Sequence, residues 1–142
     1  MVRSSVPLAA AVIALATAGS VFAADSSVNL RIAQTVAAVE RVLEPAFSNT
    51  IVSTYPDGRQ ARLWLEPDGG YRAVGRRGDP TGGTWRIKGE KLCLRQSHPF
   101  SVPFSYCTPV MGGEIGDVWI RRAVTGELLR VRLERGRPDS LG

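Results

Sequence analysis

The sequence predicts a mainly β domain: an eight-stranded antiparallel meander that closes into a barrel, preceded by one N-terminal amphipathic helix. Two observations support this fold class. After Asn49, short apolar or alternating runs are separated by Asp-Gly and Gly-Gly pairs, which supply the positive φ that tight hairpins need. Before Asn49, apolar residues recur every three to four positions, as in a helix with one buried face. We expect the meander to close because closure removes exposed strand edges.

Residues 1–23 have the pattern of a secretory signal peptide. Met1-Val-Arg3 is a short basic start, positions 6–21 are apolar or small, and Ala23 is a small residue at a cleavage position. The apolar stretch is too short and too rich in small residues for a retained membrane helix. We therefore expect a periplasmic or secreted protein without a stable membrane span.

Residues 24–46 are predicted to form the helical segment. Asp25 and the two serines after it can cap the first amides of a helix, and Pro45 is expected to end it. We expect the apolar stripe to pack on the barrel, and binding to a membrane surface is the alternative interpretation. The stripe consists of Val28, Ile32, Val36, Val39 and Leu43.

Residues 47–135 are predicted to form the barrel, and residues 136–142 a flexible tail. The eight strands come from runs of alternating or continuous apolar residues between turn signals. They are predicted at Thr50–Tyr55, Ala61–Glu66, Tyr71–Arg76, Thr84–Lys88, Lys91–Gln96, Phe104–Pro109, Val118–Arg122 and Leu128–Glu134.

The two cysteines predict one disulfide. Cys93 and Cys107 both follow the signal peptide, and an even number of cysteines in an oxidising compartment is typical of a disulfide. They are equidistant from Phe100, so a hairpin centred on Phe100 would place them side by side on neighbouring strands. A redox or metal-binding pair is the alternative, but the chain has neither C-x-x-C nor a histidine cluster.

The residues give no support for an enzyme, a metal site or a cofactor. His98 is the only histidine and lies in a proline-flanked loop, and no Gly-x-Ser-x-Gly elbow accompanies it. Acidic residues such as Asp57 and Asp68 occupy turns, where they stabilise the local backbone. We therefore predict no catalytic residue, no metal ligand and no cofactor.

The charge balance favours an acidic partner but not nucleic acid. The chain carries 18 Lys and Arg against 13 Asp and Glu, a net charge of +5, and removing Arg3 with the signal peptide lowers it by one. That excess is mild and evenly spread, so we expect no nucleic-acid binding. A surface charged only for solubility is the alternative interpretation.

Two tryptophans are candidate ligand contacts. Period-two alternation assigns Trp64 and Trp119 to polar strand faces shared with Arg62 and Arg121, and arginine beside tryptophan suits anionic or sugar-bearing ligands. The alternatives are a structural Arg–Trp ladder without a ligand and an outer face that the N-terminal helix covers. The same alternation predicts that Trp85 is buried in the core and that Trp64 is at least partly exposed.

Several longer motifs carry a family resemblance. The segments are Phe47-Ser-Asn-Thr-Ile, Tyr55-Pro-Asp-Gly, Glu66-Pro-Asp-Gly-Gly-Tyr, Gly83-Thr-Trp-Arg-Ile-Lys-Gly-Glu-Lys-Leu-Cys93 and Tyr106-Cys107. Over about residues 47 to 110 the chain resembles small secreted proteobacterial proteins of a lipocalin-like domain family of unknown function. The resemblance implies a periplasmic β-barrel with a structural cysteine pair, and it brings no activity or catalytic residue.

We therefore expect a monomeric, non-enzymatic module of the periplasm that binds a small hydrophobic or anionic ligand or acts in envelope stress. The alternative is an inhibitor of a secreted hydrolase. Such an inhibitor would act through the loop Ser97–Pro103 or through the N-terminal segment.

Overall fold

The computed structural model describes residues 22–110 and 112–137, with side chains described from residue 27 onward. The predicted signal peptide, apart from its last two residues, lies outside this range, as does the end of the predicted tail from residue 138. The described chain forms one helix followed by eight strands, which is the predicted element order.

Helix α1 (Phe22–Phe47) runs through Pro45, so the prediction that it ends before this proline is wrong. Pro45 lies in the last turn, where its missing N–H removes a single backbone hydrogen bond. The exit is held by Asn49, whose side-chain amide donates to the carbonyl oxygen of Pro45 at 2.6 Å. Leu43 and Ala46 are buried, but Val28 and Ile32 are more than half exposed. The predicted stripe therefore packs on the sheet only at its C-terminal end.

All eight predicted strands are present. Their bounds are β1 (Thr50–Thr54), β2 (Gln60–Leu65), β3 (Gly70–Val74), β4 (Pro80–Lys88), β5 (Lys91–His98), β6 (Tyr106–Pro109), β7 (Val118–Arg122) and β8 (Leu128–Glu134). Strand β4 begins four residues earlier than predicted, since a proline is tolerated at the first position of a strand. Strand β5 is two residues longer than predicted and β6 two residues shorter.

The strands form one antiparallel sheet in the order β6-β5-β4-β3-β2-β1-β8-β7, and the sheet curls into a half-barrel. The first strand pairs with the last, with Thr50 opposite Glu134, so β6 and β7 are the two edges. Because neighbouring strands run in opposite directions, the connecting segments lie at two opposite ends of the sheet, which we call the helix end and the loop end. The helix end carries the last turn of α1 and residues 66–69, 89–90, 110 and 112–117. The loop end carries residues 55–59, 75–79, 99–105 and 123–127.

The hydrophobic core fills the helix end. Trp85 is 9% exposed, as predicted, and its indole nitrogen donates to the carbonyl oxygen of Glu66 at 2.8 Å. The ring of Phe47 lies 5.8 Å from that of Trp85, which joins the last turn of α1 to the sheet. The buried core residues are Leu43, Ala46, Leu65, Tyr71, Trp85, Leu92 and Leu133.

Cys93 and Cys107 form the predicted disulfide. They are directly opposite in the register of β5 and β6, with their Cα atoms 4.0 Å apart. The hairpin centred on Phe100 is thereby confirmed. The disulfide fixes the short edge strand β6 to its neighbour.

Candidate functional site

The inner face of the curled sheet surrounds a cavity of about 520 Å³. Mostly apolar side chains line it, and Leu43 and Ala46 of α1 border it at the helix end. At the loop end it is bordered by Phe100, Phe104 and Val124, which are 65%, 65% and 77% exposed. The cavity is thus floored by the helix, and its rim carries large apolar side chains that meet solvent.

Arginine is the only charged residue type that borders the cavity among the described residues. Arg62 and Arg121 contribute to its lining, and no described Asp or Glu does. Arg62 is exposed and lies between the inward Ala61 and Leu63, so its side chain belongs to the outer face. The cationic character of the interior therefore rests on Arg121.

Arg121 joins the two edge strands. From β7 its Nη1 donates to the hydroxyl of Thr108 and its Nη2 to the carbonyl oxygen of Pro109, both at 2.9 Å on β6. The Tyr106 hydroxyl crosses the same boundary and donates to the carbonyl oxygen of Arg122 at 3.0 Å. We call this β6–β7 boundary the seam. Side chains hold it, since no β6–β7 strand pairing occurs in the described part of the chain.

Two donors on the inner side of β7 lack acceptors. The Nε atom of Arg121 and the indole nitrogen of Trp119 are buried without a hydrogen-bond partner among the described residues. These residues are two apart on one strand, so their Cα atoms are about 7 Å apart. Both border the cavity, and in the register they oppose Leu129 and Val131 of β8. This wall combines apolar surface with two donors that lack acceptors and have almost no accessible surface.

The structure divides the four predicted ligand contacts between two faces. Trp119 and Arg121 border the cavity, whereas Trp64 does not. The assignment of Trp119 and Arg121 to an outer polar face is wrong. On β7 the aliphatic residues Val118 and Ile120 are the ones that meet solvent, at 54% and 59% exposure. On this edge strand the aliphatic side chains therefore face solvent, and Trp119 and Arg121 face the cavity.

Trp64 is buried, which contradicts its predicted exposure. It is 2% exposed, and its indole nitrogen donates to the hydroxyl of Thr50 at 2.9 Å. That hydroxyl donates in turn to the carbonyl oxygen of Gly136 at 2.7 Å. The Nη1 atom of Arg137 pairs with Glu66 at 2.8 Å. The first two residues of the predicted flexible tail are therefore bound to the outer face near Trp64.

A second cluster lies at the loop end. The Arg76 guanidinium carbon lies 4.6 Å from the centre of the Tyr55 ring, and Nη1 pairs with the Glu127 carboxylate at 3.2 Å. Burial raises the pKa of the Tyr55 hydroxyl above its ordinary value, although the charge of Arg76 opposes this shift. This cluster connects three of the loop-end segments beside the cavity.

The residues with catalytic or metal-binding potential remain dispersed. His98 is exposed, and its Nδ1 lies 2.9 Å from the Ser97 hydroxyl oxygen. Across residues 22–110 and 112–137, no group of three or more His, Cys, Asp or Glu side chains could hold a metal ion.

Comparisons with protein-family models, with curated proteins and with solved structures gave no match. Over the range that the structure describes, no helix is both long enough and apolar enough to cross a membrane.

Proposed function

We propose that this protein is a non-enzymatic binding protein that takes a small, mainly apolar molecule into its cavity. The observation that carries the proposal is the cavity itself. Its volume of about 520 Å³ lies within the range of about 300–1,000 Å³ that is usual for small-molecule sites. Its floor belongs to the packed core, and its walls are mostly apolar.

The burial of the inner face supports this proposal. Ile51, Leu63 and Ala73 point inward, yet they are only half-buried because they border the cavity. Apolar surface left out of a packed core forgoes about 25 cal/mol per Å². A small apolar ligand would bury this surface and recover that free energy when it binds.

The rim supports the same proposal by offering an entrance. Phe100 and Phe104 come from the loop between β5 and β6, and Val124 from the turn between β7 and β8. All three border the cavity and are strongly exposed. A ligand that approaches the loop end meets these apolar side chains first.

Displacement of an environment-sensitive apolar dye tests the proposal. The wild type should bind the dye and release it to an apolar competitor. Ala73→Phe adds a ring inside the cavity and should weaken dye binding by tenfold or more. Arg72→Phe adds the same ring to the exposed outer position next to it, and is the matched control.

Equal dye binding by Ala73→Phe and Arg72→Phe would contradict a site in the cavity. Intact-mass measurement under native conditions gives a second readout. A small molecule that remains bound through purification from the original cells should be missing from Ala73→Phe and present in Arg72→Phe.

A second candidate function is inhibition of a secreted hydrolase. The exposed Phe100 and Phe104 favour it, because protruding aromatic side chains can anchor a loop in a partner's cleft. Under this reading Phe100→Ser would abolish inhibition in an assay of secreted hydrolases, and Ala73→Phe would leave it unchanged. Dye binding that is lost in Ala73→Phe and kept in Phe100→Ser supports the cavity instead.

Export to the periplasm or the medium belongs to the same proposal. The N-terminal pattern of residues 1–23 and the Cys93–Cys107 disulfide support it. Sequencing the mature N-terminus from a periplasmic extract should give Ala24 as the first residue. A protein that keeps Met1 and stays in the cytoplasm would contradict export.

A further inference from the structure

Arg121 carries a charge that no described acidic side chain balances. None of the ion pairs of the described residues includes it, and no described Asp or Glu borders the cavity. Its two protein acceptors, the Thr108 hydroxyl and the Pro109 carbonyl, are both neutral. A guanidinium has five N–H donors, so these two bonds leave three donors unused.

The surroundings make this charge costly. Burial lowers the pKa of Arg121 from its ordinary value, because the charged form loses hydration. Arg121 is half-buried, so its charge keeps part of its hydration, and an anion with good geometry would offset the part that is lost. The unpartnered indole N–H of Trp119 lies one inward position away on the same strand. The β7 wall thus has spare positive charge beside an apolar space.

We propose that the ligand is an amphiphile with a single carboxylate, whose acid group pairs with Arg121 while its hydrocarbon chain fills the apolar cavity. This inference rests on the proposed binding function and names its ligand class. A guanidinium presents planar, paired donors that match a carboxylate.

The single charge of Arg121 distinguishes between acid groups. A carboxylate carries one negative charge and would be neutralised by one guanidinium. A phosphate monoester carries about −1.5 to −2 at neutral pH, so part of its charge would stay unpaired in an apolar site. The cavity should therefore prefer a carboxylate to a phosphate on the same chain.

Calorimetric titration with decanoic acid, decanol and decyl phosphate tests the proposal at neutral pH and low salt. The wild type should bind decanoic acid about ten- to a hundredfold more tightly than decanol, as expected for a hydrogen bond to a charged group. Decyl phosphate should bind more weakly than decanoic acid.

Variants of Arg121 locate the acid group. Arg121→Gln should bring the acid-to-alcohol ratio close to one while decanol binding persists, which shows that the cavity survives. Arg121→Lys keeps the charge and should keep part of the preference. Arg130→Gln removes an exposed arginine of β8 that does not border the cavity, and should leave the ratio at its wild-type value.

The possible results separate the two proposals. If the wild type binds acid and alcohol equally, the carboxylate inference is overturned and the binding function stands. An unchanged preference in Arg121→Gln also overturns it, because another group would then hold the acid. A wild type that binds none of the three probes contradicts both proposals. If Arg121→Gln does not fold, the wild-type ratio and the partial loss in Arg121→Lys decide the question.

Discussion

Replacement of Trp64 gives the clearest test of the outer face, because sequence and structure disagree there. The structure buries the indole to 2% exposure and pairs its nitrogen with the hydroxyl of Thr50. We therefore expect Trp64→Ala to lower the free energy of unfolding by about 3–5 kcal/mol, as for other buried aromatic residues. Trp85→Ala should cost a similar amount in the core.

The hydrogen bond can be separated from the packing. Trp64→Phe keeps most of the ring but loses the N–H donor, so it should cost about 1–3 kcal/mol. Thr50→Val leaves the indole N–H buried without a partner and also removes the hydrogen bond from the Thr50 hydroxyl to the carbonyl oxygen of Gly136, so it should cost at least about 1–3 kcal/mol. The double variant should lose about 1 kcal/mol less unfolding free energy than the sum of the losses in the two single variants. This difference is the coupling energy of one neutral hydrogen bond.

Urea unfolding followed by circular dichroism, with the disulfide intact, measures these differences. Trp119→Ala is the comparison, because Trp119 is only half-buried beside the cavity and should cost less than Trp64→Ala. If Trp64→Ala stayed within about 1 kcal/mol of the wild type, the ring would be solvent-exposed as alternation alone predicts. The burial of Trp64 against Thr50 would then be wrong.

Three further predictions concern single structural contacts. Replacing Cys93 and Cys107 by serine should cost about 3 kcal/mol in urea unfolding, and thiol labelling of denatured, unreduced wild type should find no free thiol. Gly83→Ala should cost about 1–3 kcal/mol or more in thermal unfolding, because its Cβ would lie 1.9 Å from the carbonyl oxygen of Arg95. Ending the chain before Gly136 should cost about 1–3 kcal/mol and shift tryptophan emission to the red, since this removes the segment bound near Trp64.

Local rules account for what the sequence predicted well. Asp-Gly and Gly-Gly pairs mark turns because glycine adopts positive φ without strain, and Gly58 and Gly69 have φ of 82° and 91°. These markers set the number and order of the strands. The spacing of the two cysteines about Phe100 then predicted the register between β5 and β6.

The candidate site was predicted less well, because alternation shows which residues share a face and not which way that face points. On β7, Val118 and Ile120 would ordinarily point inward, but they meet solvent while Trp119 and Arg121 point toward the cavity. This direction depends on the pairing of β7 with β8, which places Arg121 opposite Leu129. One signal was available in the sequence: β8 has a clear apolar face, and a paired strand must share it.

Burial of Trp64 depends on contacts distant in sequence. Its own strand supplies a polar pattern, but Thr50 and Gly136 approach it from residues 14 and 72 positions away. No local rule links these positions. The turn carboxylate Glu66 shows the same effect, since it pairs with Arg137 across 71 residues.

The seam should be the least protected part of the sheet in hydrogen exchange. Strand β6 has only four residues and β7 five, and each pairs with one neighbour, whereas β1 pairs on both sides. Side chains of Arg121 and Tyr106 bridge the seam in place of a backbone ladder, and a few such bonds hold less firmly than a strand pairing. We therefore expect amides of β6 and β7 to exchange faster than those of β1 and β2. Because Arg121 belongs both to the seam and to the proposed acid site, saturating decanoic acid should slow exchange in β6 and β7 more than in β2. Exchange of β6 and β7 as slow as that of β1 in the free protein would show that the seam is closed by more than these side chains.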